Sequence, residues 1–169
     1  MGLVYVCPLS RVAKVVAQSG AESLVSLLSP PFQAPRPAEI LAERHLTLGL
    51  SDIVAPLDGH VLPEQAHVES LIEFFRRWDR ARPMVVHCYA GVSRSPAAAF
   101  IGLCALGAAP EIEIAQNLRR LSPSATPNKR LVELGDALLS RQGRMLQAIE
   151  SIGRGADCFE GEVFCMETA

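Results

Sequence analysis

His87-Cys88-Tyr89-Ala90-Gly91-Val92-Ser93-Arg94-Ser95 stands between two apolar runs, Pro83-Met84-Val85-Val86 and Pro96-Ala97-Ala98-Ala99-Phe100-Ile101. The first run predicts a buried strand and the second opens a helix, so the segment between them becomes a loop at a helix N-terminus. Backbone N–H groups there lack intrahelical partners and the macrodipole adds partial positive charge. Together they make a cradle for an anion such as phosphate. Cys88 faces that cradle from the end of the strand. A free thiol titrates at about 8.5, and a helix N-terminus, a neighbouring Arg94 and a hydroxyl donor such as Ser95 lower this to roughly 3.5–7.5. A thiolate at neutral pH is therefore expected. Gly91 permits a positive φ at the loop's crest, so its amides can turn inward, and Pro96 falls in the first helical turn, where a missing N–H costs nothing. Arg94 offers a planar fork that binds two phosphate oxygens at once.

The pattern His-Cys, five residues, Arg, then Ser resembles the signature loop of the cysteine-based protein tyrosine phosphatases and matches it at each of those positions. The Ser93-Arg94-Ser95 ending and the small Ala90 resemble the dual-specificity branch more than the classical tyrosine-specific one. The resemblance implies a nucleophile at Cys88 and a phosphate-binding loop made of Tyr89, Ala90, Gly91, Val92, Ser93 and Arg94. It further implies that Ser95 helps the thiolate leave and that His87 scaffolds the loop rather than shuttling protons. No cofactor is implied, and the partner is a phosphorylated protein or another phosphomonoester.

In this family the general acid is an Asp on a separate loop that follows a strand, a few tens of residues before the cysteine. Asp52, in Leu50-Ser51-Asp52-Ile53, and Asp58, in Leu57-Asp58-Gly59-His60, both qualify. Asp-Gly is a common turn dipeptide, which gives Asp58 a ready structural explanation. Asp52 is favoured, with Asp58 the alternative. Asn128 follows Pro127 and precedes an apolar-periodic helix, so it is expected to cap that helix. It also resembles the family residue that braces the signature loop. Arg119 or Arg120 could reach substrate or be surface charges, and Lys129 and Arg130 are candidate rim cations.

The 169 residues, 49% hydrophobic and 20% charged, suit one globular domain. A net charge of −2 gives no electrostatic footprint for nucleic acid or an anionic membrane, and no window has the apolar length of a bilayer span. The start, Met1-Gly2-Leu3-Val4-Tyr5-Val6, lacks a signal peptide's basic region and a myristoylation signal's hydroxyl residue. Five cysteines at scattered spacings argue for a reducing compartment, so a cytoplasmic location is expected. His45, His60 and His67 share no metal-ligand pattern with the cysteines, and no metal is expected.

Strands are predicted at Leu3–Cys7, Ser23–Leu28, His45–Leu50 and around Met84–Val86. Helices are predicted from Arg11 to Gln18 behind a Ser10 cap, briefly near Ala38 to Ala42, from Glu64 to Arg80 with Val68, Leu71, Ile72 and Phe75 on one face, from Pro96, from Pro110 to Leu121, and as a final helix or helical pair ending near Ile152. The expected fold class is α/β: a single domain with a mainly parallel central sheet flanked by helices, of the phosphotyrosine-phosphatase type. Residues 1–155 form the expected catalytic domain, residues 156–169 a C-terminal tail, and Gly153 onward is expected to lack defined structure. No lysine occupies Tyr89, Ala90 or Val92, which disfavours a polyphosphorylated lipid as substrate, and Tyr89 is placed on the pocket wall. The competing readings are a phosphate-binding pseudophosphatase or interaction module and, disfavoured by Gly-x-Ser-Arg-Ser, a rhodanese-type sulfurtransferase.

Overall fold

The computed structural model describes residues 1–168. Five strands, β1 (Leu3–Pro8), β2 (Ser23–Leu28), β3 (His45–Gly49), β4 (Met84–Cys88) and β5 (Phe164–Glu167), form one sheet in the order β3-β2-β4-β1-β5. The first four are mutually parallel and β5 runs antiparallel to β1. Six helices accompany them: α1 (Val12–Ser19), α2 (Gln65–Arg77), α3 (Arg94–Leu106), α4 (Glu111–Leu121), α5 (Lys129–Leu138) and α6 (Arg144–Ile152).

Alternation along each strand sorts its side chains between two cores. Val4, Val6, Val25, Leu27, Met84, Val86 and Cys88 join the larger core beneath α2 to α6. Cys7, Leu24 and Val85 join the smaller one beneath α1, with Val12, Val15 and Val16. Cys88 thus emerges on the many-helix face, toward α3. That helix is apolar almost all round, and every residue from Arg94 to Cys104 is buried, as a helix enclosed by others requires. Phe75 of α2 lies so close to Gly102 that a Cβ there would come within 2.3 Å of its ring, so glycine sets the spacing of α2 and α3. Trp78 ends α2 by packing edge-on against Phe75, with centroids 6.3 Å apart.

Three expectations need correction. Ser10 does not cap a helix: it lies in a 3₁₀ turn, Leu9–Arg11, ahead of α1, and its hydroxyl donates to Glu160. The expected helix near Ala38 is a short 3₁₀ turn at Ala42–Arg44. The largest correction concerns the end of the chain. Residues 153–168 are no tail, and residue 155 marks no structural boundary, because β5 pairs with β1 through Leu3↔Glu167, Val4↔Met166, Tyr5↔Cys165 and Val6↔Phe164. Phe164 and Met166 are buried in the main core, and the Gly2 N–H donates to Thr168 Oγ1 at 2.7 Å. A four-residue edge strand pairing with residues some 160 positions away leaves little local trace in the sequence.

Candidate active site

β4 delivers His87 and Cys88 to the carboxyl edge of the sheet, where crevices of open α/β sheets form. The chain turns there and enters α3 at Arg94. Gly91 makes the turn with φ +72°, and a Cβ on it would lie 2.7 Å from Pro8 N, so glycine is required both for the conformation and for the close approach to β1. The loop's carbonyls are drawn outward by four backbone donors from three different segments, the turn after β1, the α4–α5 connection and the stretch before β5. Tyr89 O accepts from Leu9 N, Ala90 O from Gly161 N, Val92 O from Thr126 N and Ser93 O from Asn128 N, at 2.8–3.2 Å. Securing carbonyls on the outside leaves the loop's amides facing the concave side. Two polar groups meet the sulfur: the Gly91 N–H donates to Cys88 Sγ from 3.3 Å, and Ser95 Oγ lies in hydrogen-bond contact with it at 3.2 Å.

Arg94 is buried at the base of this loop. Its Nη1 donates to Ser29 Oγ at 3.1 Å and to Leu50 O at 3.0 Å, which moors the guanidinium to the exits of β2 and β3. Its Nε is buried without a hydrogen-bond partner among the described residues. An orphaned buried donor of this kind is what an anionic ligand satisfies.

The two candidate acids are placed very differently. Asp52 Oδ1 accepts from Ser93 Oγ at 2.7 Å and from Asn128 Nδ2 at 2.8 Å, so this carboxylate touches the signature loop itself. Asp58 sits on the exposed turn at Gly59 (φ +77°), where His60 N donates to Leu57 O. Asn128 Oδ1 caps α5 by accepting from Leu131 N at 3.0 Å, its Nδ2 donates to Asp52 Oδ1 and Ile53 O, and its backbone N–H donates to Ser93 O of the signature loop at 3.2 Å.

His87 is fully buried on the α1 side of the sheet. Its Nδ1 faces Cys88 O at 3.2 Å and can only donate there, which makes Nε2 the acceptor of the Ser26 hydroxyl at 2.6 Å. Ser26, having spent its one proton, must accept from His45 Nε2 at 2.8 Å. Burial pushes the His87 imidazole down to about 4, so the ring is neutral near pH 7 and holds the strand's end in place. Ser26, His45 and the Arg94 anchor Ser29 are site residues that motif reading misses. The available signal was a lone serine inside the buried run Leu24-Val25-Ser26-Leu27-Leu28.

Arg119 is not free to meet a substrate. Its guanidinium donates to Ser122 O, Pro123 O, Ile152 O and Gly153 O, tying together the C-terminal ends of α4 and α6. Arg120 bonds Asn117, Lys129 pairs with Glu150, and Arg130 donates to Pro63 O. The cleft beside the signature loop has a volume of about 270 Å³ and is bounded by Asp52, Val92, Ser93, Thr126, Arg154 and Cys158. Tyr89 stands on the rim, 61% exposed. Among the described residues no three His, Cys, Asp or Glu side chains cluster as metal ligands would, and no helix is long and apolar enough to cross a membrane.

The same arrangement of elements recurs in solved structures. Human DUSP28 superposes with a TM-score of 0.64 at 20% identity, over 82% of this chain and 94% of that one. The chain has the dual-specificity phosphatase fold. DUSP15 shares this fold with a TM-score of 0.63 at 16% identity over 90% and 94% of the two chains. So does the human tyrosine phosphatase-like serine/threonine/tyrosine-interacting protein, at 0.64 and 16% over 82% and 92%. No protein-family profile and no curated protein sequence matches the chain. Within the fold, Cys88 ends β4 and Arg94 and Ser95 open α3, flanking the loop at the sheet's carboxyl edge, with Asp52 beside it.

Proposed function

We propose that the chain is a cysteine-dependent, metal-independent phosphatase that hydrolyses phosphotyrosine, and phosphoserine or phosphothreonine as well, through a phosphocysteine intermediate. The observation that carries this reading is the meeting of Ser95 Oγ and the Gly91 N–H at Cys88 Sγ, inside a loop whose carbonyls are tied outward. The thiolate attacks phosphorus in line while the P–O bond to the leaving group breaks. Loop amides and Arg94 stabilise charge on the equatorial oxygens, and the unpartnered Arg94 Nε supports that role. Asp52, held through Oδ1, gives a proton from its other oxygen to the leaving group. In the second step the Asp52 carboxylate takes a proton from water, the water oxygen bonds to phosphorus, and the P–S bond breaks. Ser95 then donates its hydrogen bond to the departing thiolate.

Cys88→Ser tests this directly. Hydrolysis of an aryl phosphate in excess chelator is expected to persist in the wild type and to vanish in the variant, with inorganic phosphate still binding to both. A folded wild type that binds phosphate without turning over any phosphomonoester would instead make the protein a phosphate-recognising interaction module. The likeness to a phosphatase-like interacting protein keeps that second reading in view. The presence of Cys88, Arg94, Ser95 and Asp52 together supports catalysis.

A further inference from the structure

The segment between α6 and β5, residues 153–163, is a strap with both ends fixed. Arg119 grips Ile152 O and Gly153 O at one end, and β5 is woven into the sheet at the other. Between them the Gly155 N–H donates to Thr126 Oγ1 at 3.0 Å, Ala156 N donates to Pro123 O at 2.9 Å, and Ser10 Oγ holds Glu160 at 2.6 Å. The strap then meets the signature loop at one buried residue, Gly161.

Gly161 N donates to Ala90 O at 2.8 Å, and a Cβ on Gly161 would stand 2.9 Å from Gly91 O. On the opposite side, a Cβ on Gly91 would stand 2.7 Å from Pro8 N. The Ala90–Gly91 peptide is therefore held between the end of β1 and the strap, glycine against glycine, with no room for a side chain on either. The amide of that same peptide, the Gly91 N–H, points at Cys88 Sγ from 3.3 Å. We infer that Gly161 is a positioning residue for the nucleophile, the strap fixing the orientation of the amide that stabilises the Cys88 sulfur. The strap also forms a wall of the cleft beside Asp52 and Ser93 through Arg154 and Cys158. The inference rests on the phosphatase reading only in taking Cys88 as the nucleophile.

The test compares wild type, Gly161→Ala and, as a control, Phe159→Ala, whose side chain is 92% exposed on the same strap. The readouts are the pH dependence of Cys88 alkylation by iodoacetamide, followed by peptide mass spectrometry, and the affinity for inorganic phosphate by calorimetry. Gly161→Ala is expected to move the alkylation midpoint up by about one pH unit and to weaken phosphate binding about tenfold, the effect of misaligning one hydrogen bond to a charged group. Phe159→Ala is expected to move neither. A folded Gly161→Ala protein with the wild-type alkylation profile and phosphate affinity, even with a lowered melting temperature, would overturn the inference and leave the strap as packing only. Should Gly161→Ala fail to fold, Ser10→Ala releases the neighbouring Glu160. It is expected to shift both readouts in the same direction by less, and no shift would equally overturn the inference. Neither readout needs turnover, so a wild type that hydrolyses nothing while the alkylation shift persists would remove the phosphatase reading and leave the role of Gly161 standing.

Discussion

The signature loop and the acid-bearing loop meet at one hydrogen-bond cluster, yet they are built on opposite plans. Residues 89–93 are held by three separate segments through their carbonyls, and Gly91 at the crest and Arg94 and Ser95 beyond it are buried. Residues 51–61 close mainly on themselves, through Ser51 N to Val61 O at 2.8 Å and Val61 N to Ser51 Oγ at 3.1 Å, and Val54, Leu57 and Asp58 lie exposed. Asp52 and the Ile53 carbonyl provide the hold on the signature loop and its brace, Asn128. Transition-state charge is best met by donors that need no reorganisation, whereas an acid that must admit a substrate benefits from a lighter tether. The cradle is thus the heavily tied half of the site and the Asp52 loop the lightly tied half.

The largest effect that could break this contrast comes from the acid loop. Asp52→Asn is expected to lower kcat on an aryl phosphate by about 10²–10⁴-fold and to remove the alkaline limb of the pH profile, while Asp58→Asn leaves both as in the wild type. The reverse result would move the acid to the turn tip and sever it from the signature loop. Next, Arg94→Lys keeps the charge but loses the fork moored by Ser29 and Leu50. A loss of about 10²–10³-fold in kcat/KM is expected, with steady-state kinetics as the measurement.

The heavily tied half should also show itself in stability. His87 binds its proton more weakly when folded, at about 4 against an ordinary value of 6.5, so between those values the unfolded chain holds more protons and stability rises with pH. Urea unfolding is expected to show on the order of 3 kcal/mol lost as pH falls from 7 through 6.5 toward 4, and His87→Gln is expected to flatten that slope. The smallest effect lies where the halves join. Asn128→Ala removes the α5 cap and the acid's brace together, and is expected to cost about 1–2 kcal/mol by denaturant unfolding. Its kcat on an aryl phosphate should fall more than its affinity for inorganic phosphate, because the cradle keeps its other ties.

Local chemistry made the centre of the molecule legible. The apolar run into His87-Cys88, the glycine at the crest and the proline in the first turn announce strand, loop and helix, and β2 falls on Ser23–Leu28 as its apolar pattern predicts. Asn128 could be read because capping leaves a side-chain signature just ahead of a helix. What escaped reading depends on residues distant in sequence. Ser26 and His45 matter only because β2 lies between β3 and β4, a pairing order that no single strand encodes. Phe164-Cys165-Met166-Glu167 becomes a strand only by meeting β1, and Arg119 becomes a clamp only because α6 ends beside it. Asp52 and Asp58 could be ranked from sequence, but only the position of Ser93 separates them in space.

The strap also has a bearing on how the protein is made. Synthesis delivers the chain from its N-terminus, so β1, Cys88 and α3 leave the ribosome well before Gly161 and β5. Until those later residues arrive, the Ala90–Gly91 peptide is held on one side only and the outer edge of β1 is bare. A nascent chain therefore carries the Cys88 thiol before the strap is there to hold its loop, and the complete signature loop appears as one of the last events of maturation.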